Sequence, residues 1–137
     1  MNEASTLGGD GPGAAIGLAY QEIGPELVRA TVPVAPIVQQ PAGLVHGGIY
    51  SLIAESITSH ATGRAVRDEG AVAFGQASTT TLLRPITEGT IHATARRRHG
   101  GRTTWIWDVE ISDDAERLCA MVRMTIAVRP TPGAQAS

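Results

Sequence analysis

One cysteine in 137 residues leaves no partner for an internal disulfide and no thiolate set for a metal. A reducing cytoplasm is the simplest setting for such a chain. Neither sign of charge dominates: the formal net charge is -2, so no basic field draws the protein to nucleic acid or to a membrane surface. No long apolar run is present either. The longest uncharged stretch, from Ala30 to Ala54, is broken by Pro33, Pro36 and Pro41 and by polar residues. A membrane span needs about 20 apolar residues in succession, which that stretch does not supply. The opening MNEASTLGGDGPG has acids but no basic or apolar block, unlike a secretory leader.

What is present suits a single soluble domain. Hydrophobic residues make up 42% of the chain and charged residues 18%, ordinary values for one core of this size. Residues 1–13 read as a loose lead-in, 14–130 as the domain, and 131–137 as a flexible tail. AIGLAYQEIG and ELVRATVPV read as a hairpin turning near Gly24-Pro25. From Gly47 to about Arg67 there is no proline, and Ile49, Leu52, Ile53 and Ile57 recur at helical spacing, with Gly70 closing the segment.

Four strands are expected next. AVAFGQASTTTLL runs to Arg84-Pro85, and TIHATARRR runs to a glycine pair, Gly100-Gly101. In TTWIWDVEI, Thr103, Trp105, Trp107, Val109 and Ile111 share one face. After Asp113-Asp114, RLCAMVRMTIAV alternates with Leu118, Ala120, Val122, Met124, Ile126 and Val128 on one side. Two strands, one long helix and a four-strand meander make an α+β domain, with the helix covering one face of an antiparallel sheet.

The helix carries the chemistry. Glu55 is its only carboxylate between His46 and Gly63, with no Lys or Arg in that interval and with Ser51, Thr58 and Ser59 near it. If buried, such an acid loses hydration without a cation to offset it, which marks a functional candidate. Its alternative is a side chain pointing to solvent. Gly47 and Gly48 open the helix, where bare N–H groups at the positive end of the helix dipole suit an oxyanion. The alternative there is a tight turn. Eight residues separate Gly47 from Glu55, a rise of roughly 12 Å on a straight helix, so the two cannot act on one carbonyl from a single chain. A functional pairing requires a dimer with sites at its interface.

GLVHGGIYSLIAES resembles the helix motif of hotdog-fold acyl-CoA thioesterases of the phenylacetate-pathway type. TTWIWDVEISDDAERLCAMVRMTIAVRP and GQASTTTLLRP are more similar still to the Arthrobacter-type 4-hydroxybenzoyl-CoA thioesterase family. The resemblance spans about Gly43 to Pro130. It implies a hotdog fold, with a long central helix wrapped by a curved antiparallel sheet. It also implies hydrolysis of an acyl-CoA, aromatic and 4-hydroxybenzoyl-like, with no cofactor beyond the CoA of the substrate, and a dimer that pairs into a tetramer.

Roles follow position by position. Glu55 matches the carboxylate that attacks the thioester or activates water, and Gly47 the N–H that polarises its carbonyl, with Gly48 beside it in the same turn. Gln40 matches a glutamine near the reacting group, His46 a positioning residue, and Ser59 a hydroxyl that holds the water or the acid. Arg84, Arg102 and Thr103 match positions that contact the CoA nucleotide. This chain departs from the family at His60, where the relative has an acid that reads the acyl ring. It departs again at Gly13, near an acidic position, and at about Pro132, near a phosphate-binding arginine.

Other residues are weighed alongside. Arg96, Arg97, Arg98 and Arg102 form either an anion patch for CoA phosphates or a solvated strand end. Trp105 and Trp107 read as core. Cys119 has no adjacent base and His92 and His99 lack metal spacing, so neither a cysteine nucleophile nor a metal is expected. Two rival functions remain: a hotdog hydratase or dehydratase, whose proline-rich signatures are missing here, and a non-catalytic acyl-CoA-binding domain.

Overall fold

The computed structural model describes residues 11–133. Residues 1–10 of the expected lead-in (1–13) and 134–137 of the expected tail (131–137) lie outside the described residues. A short helix α1 (Pro12–Ala15) precedes strands β1 (Ala19–Ile23) and β2 (Leu27–Pro33). The long helix α2 (Gly47–Val66) follows, then β3 (Ala71–Leu82), β4 (Thr90–Gly100), β5 (Thr104–Ser112) and β6 (Leu118–Pro130). The six strands form one antiparallel sheet in the order β1-β2-β4-β5-β6-β3, and α2 packs on one face of it. This is the hotdog arrangement expected from the sequence.

The long elements fall where their patterns put them. His46 accepts from the Gly48 N–H and caps the helix, and Gly70, at φ 72°, closes the turn that follows it. The buried face of α2 includes Tyr50, Ile53, Ala54, Ile57 and Ala61. Against it lie Trp105, Trp107, Val109 and Ile111 of β5, the face that alternation selected. Two buried threonines complete the contact. Thr58 donates to the Ala54 carbonyl and Thr62 to the Thr58 carbonyl, each at 2.7 Å. Thr62 then accepts from the Trp107 indole N–H at 2.9 Å, tying helix to sheet through the middle of the core.

Three local expectations need correction. The first hairpin arm does not begin at Ala15: Pro12 starts a helical turn, and Gly17, at φ 82°, turns the chain before β1 begins at Ala19. The segment before α2 contains a 3₁₀ turn, Pro36–Val38, that periodicity did not reveal. In β6 the buried face slips at its start, with Leu118 38% exposed and Cys119 fully buried. The ladder to β5 is irregular there, pairing Ser112 with Leu118 but Ile111 with Ala120. The N–H groups of Leu83 and Arg84 close over Cys119 by donating to its carbonyl.

The Trp107–Thr62 bond gives a stability test. Thr62→Val keeps the shape but leaves a buried indole N–H without an acceptor, at a cost of about 1–3 kcal/mol. Urea unfolding of the two proteins measures this; equal midpoints would show that the bond contributes nothing.

Candidate active site

The helix lies along the edge strand β3 and runs opposite to it. A Cβ placed on Gly47 would stand 2.9 Å from Leu82 Cδ1. One turn on, the Ser51 and Thr80 hydroxyls share a hydrogen bond of 2.6 Å. After another turn, a Cβ placed on Gly75 would stand 2.8 Å from Glu55 Oε2. Further along, Ser56, Ser59 and His60 share a cleft with Ala73. Gly47, Ser51, Glu55 and Ser59 thus form one row on the helix, read in reverse by Leu82, Thr80, Gly75 and Ala73.

A β-bulge brings Glu55 and the strand together. The ladder between β3 and β6 shifts between Gly75 and Ala77, so that Gln76 is an extra residue. Glu55 lines a small cleft of about 180 Å³ with Gly75, Gln76, Ala77, Ser78 and Met124. The acid is exposed in the single chain, so of the two sequence readings the chain on its own shows the solvent-facing one. Among the described residues its carboxylate has no hydrogen bond or ion pair. Gly75, Gln76 and Ser78 were missed by the sequence reading; a glycine inside a strand was the available signal.

The donor end is built by the segment before the helix. Gln40 donates its backbone N–H to the Leu44 carbonyl at 2.8 Å and accepts from Gly43 at 2.9 Å. Its side-chain Oε1 accepts from the Ala42 N–H at 2.6 Å, which turns the amide NH₂ away from that loop. His46 Nδ1 takes the Gly48 N–H at 3.2 Å. The Gly47 N–H, one residue earlier, has no acceptor among the described residues. Of the two glycines, Gly47 therefore keeps the available donor.

Ser59 does not touch the Glu55 carboxylate. Its hydroxyl donates to the Glu55 main-chain carbonyl at 2.5 Å, the usual back-bond of a helical serine. His60 packs near Tyr20, with ring centroids 5.6 Å apart.

The nucleotide-contact candidates are not brought together. Arg102 and Thr103 line a cleft of about 500 Å³ with Gly70, Ala71 and Arg129. Arg84 follows the other end of β3, where its N–H meets Cys119. Nine residue steps along β6 lead from Cys119 to Val128, whose N–H bonds the Thr103 carbonyl, a span of about 30 Å.

Two arginines of the supposed anion patch are engaged within the chain. Arg97 pairs with Glu26 at 3.2 Å and lies 4.6 Å over the Trp105 ring. Arg98 meets Asp108 at 3.5 Å. The Cys119 thiol is pushed up by burial, as expected of a structural residue. Among the described residues no cluster of His, Cys, Asp or Glu is placed to hold a metal, and no helix is long and apolar enough to cross a membrane.

Known proteins resemble this chain in sequence and in fold. The family model described as thioesterase superfamily covers residues 42–120. The Rv1847 protein of Mycobacterium tuberculosis is 37% identical over 107 residues, 77% of this chain and 76% of that one. The proofreading thioesterase EntH of Cronobacter sakazakii is 31% identical over 113 residues, 82% of each chain. A crystal structure of thioesterase PA1618 from Pseudomonas aeruginosa superposes with a TM-score of 0.87 at 30% identity, covering 95% of this chain and 96% of that one.

The cap at the helix start can be tested directly. His46→Ala should lower stability by about 0.5–2 kcal/mol, whereas His46→Asn, whose side chain can also accept, should lose much less. Thermal melts of the three proteins decide; an alanine variant that melts with the native protein would remove the cap.

Proposed function

The chain belongs to the thioesterase superfamily and is a hydrolase, and we propose that it cleaves acyl-CoA thioesters at a site completed by two copies of the chain. The observation that carries this reading is the arrangement along β3. The acid sits at Gly75, the amide donor sits at Leu82, and the strand joining them is an edge of the sheet. β3 is 12 residues long with no charge and no proline, the kind of edge that invites another strand.

Pairing two copies of β3 about a two-fold axis closes the gap. Gly75 is opposite Ile126 and Ser78 opposite Met124, so the bulge keeps Gly75, Ser78, Thr80 and Leu82 on the helix-facing side. An antiparallel register that sets Thr79 against the partner's Thr79 then sets Ser78 against the partner's Thr80. It sets Gly75 against the partner's Leu82. Glu55 of one chain meets the helix start of the other, twice per dimer. The same register carries Arg84 to the partner's Ala73, beside the partner's Arg102 and Thr103. One symmetric contact would thus unite both the reacting groups and the nucleotide contacts.

The chemistry follows from these parts. The Gly47 N–H polarises the thioester carbonyl and holds the oxyanion. Glu55 either attacks the carbonyl carbon, giving an acyl anhydride that water opens, or takes a proton from the attacking water. In both routes the carbon–sulfur bond breaks and the departing CoA thiolate gains a proton. Gln40 and His46 support the donor end. The acyl group, aromatic and 4-hydroxybenzoyl-like, would lie toward the cleft of about 470 Å³ lined by Ser56, Ser59, His60, Gly63, Arg67 and Ala73. No cofactor or metal is needed.

Two measurements test this reading. Glu55→Gln should fold normally and lose turnover by about 10²–10⁴-fold in a thiol-release assay with aroyl-CoA substrates, and near-native turnover would end the reading. Thr79→Cys should oxidise readily to a covalent dimer, because antiparallel partners stand about 4.5–5.5 Å apart at Cα, within disulfide reach. Cross-linking no better than that of Phe74→Cys would contradict the register.

A further inference from the structure

We propose that Gly75 is a positioning residue for the reaction, the absent side chain being the seat that holds the Glu55 carboxylate on β3. The inference rests on the reading of Glu55 as the catalytic acid. Glycine inside a strand costs roughly 0.5–1 kcal/mol against alanine, so its presence calls for a reason. Backbone conformation does not supply one. The described glycines with positive φ are Gly17, Gly43, Gly70, Gly89 and Gly133, and Gly75 is not among them.

Space supplies the reason. The three atoms nearest to a Cβ on Gly75 all belong to Glu55: Oε2 at 2.8 Å, Cγ at 3.1 Å and Cδ at 3.2 Å. Gly89 also lies under a carboxylate, that of Asp114, but its φ of 83° gives glycine a separate reason to stand there. At Gly75 the only demand is room for the acid.

The atoms in the way are the mobile end of one side chain, not backbone. A methyl group at this position therefore displaces the carboxylate and leaves the sheet intact. The bulge adds to the effect, since it sets Gly75 and Ser78 on one face with Gln76 between them around the acid. The strand thus narrows the positions open to a side chain that has no hydrogen-bond partner among the described residues.

Gly75→Ala is the test, with Gly24→Ala in the β1–β2 turn, where the one atom near a Cβ is the Leu27 carbonyl oxygen at 3.4 Å, as its control. A displacement of about 1 Å predicts that Gly75→Ala lowers kcat by about 100-fold, with KM within about threefold and the melting temperature unchanged. In the Glu55→Asp background, where the shorter acid draws back from the strand, the same substitution should cost less than about threefold in kcat. A purely structural role would give equal losses in both backgrounds. Native kcat in Gly75→Ala, equal losses, or a loss that tracks a lower melting temperature would each overturn the proposal. If Glu55→Gln is inactive while Gly75→Ala is normal, this inference alone fails. Native turnover in Glu55→Gln would remove the catalytic acid itself, and the inference with it.

Discussion

The long helix can lie flat on an edge strand because, Leu82 and Glu55 apart, the residues that face each other across that contact are small. Gly47, Ser51 and Ser59 on the helix meet a strand built from Ala71, Ala73, Gly75, Ser78 and Thr80. Bulky residues there would lift the helix away. With the seam tight, Glu55 is the one long side chain in the row, and the strand makes room for it with a glycine and a bulge. Both reacting groups are then fixed at set points along a single strand.

That placement has a consequence for assembly. A donor and an acid about 12 Å apart along one helix form two half-sites, and no side-chain movement closes that distance. In the proposed dimer symmetry closes it, since the half-sites run in opposite directions on two antiparallel copies. The edge proposed for the pairing also carries the acid, so in that dimer loss of the strand contact and loss of the site would be one event. The proposed dimer would also close the gap of about 30 Å between the Arg84 and Arg102 ends within a chain. The family match and the superposition on thioesterase PA1618 show a hydrolase of the thioesterase superfamily, and the shared site is the working form proposed for it.

Much of the fold was legible because it rests on local periodicity. The absence of proline from Gly47 to Arg67 and the spacing of Ile49, Ile53 and Ile57 gave the helix, and the alternation through Trp105 and Trp107 gave the buried face of β5. What stayed hidden depends on distant residues. Nothing local to AVAFGQASTTTLL says that it is an edge strand, or that Gln76 is the extra residue of a bulge. The slip at Leu118 and Cys119 comes from the loop at Leu83 folding back, again a long-range effect. In the site, the isolated carboxylate and the glycine turn stood out by composition. The role of Gly75 did not, because a glycine shows what it accommodates only once its neighbour is known. Ser59, which the resemblance gives as holding the water or the acid, bonds the acid's backbone in the single chain, since a helical serine finds that carbonyl one turn away.

Subunit complementation tests the shared site most directly. One chain carries Glu55→Gln. The other carries Gly47→Pro, which deletes the donor N–H at a first-turn position where proline is tolerated, following His46 at φ -66° and ψ 132°. Each variant alone should be inactive. After the two are unfolded together, mixed in equal amounts and refolded, random pairing should restore about a quarter of native activity, since half of the dimers would then hold one intact site of two. A mixture as inactive as its parents, with mixed dimers shown to be present, would contradict a site divided between two chains.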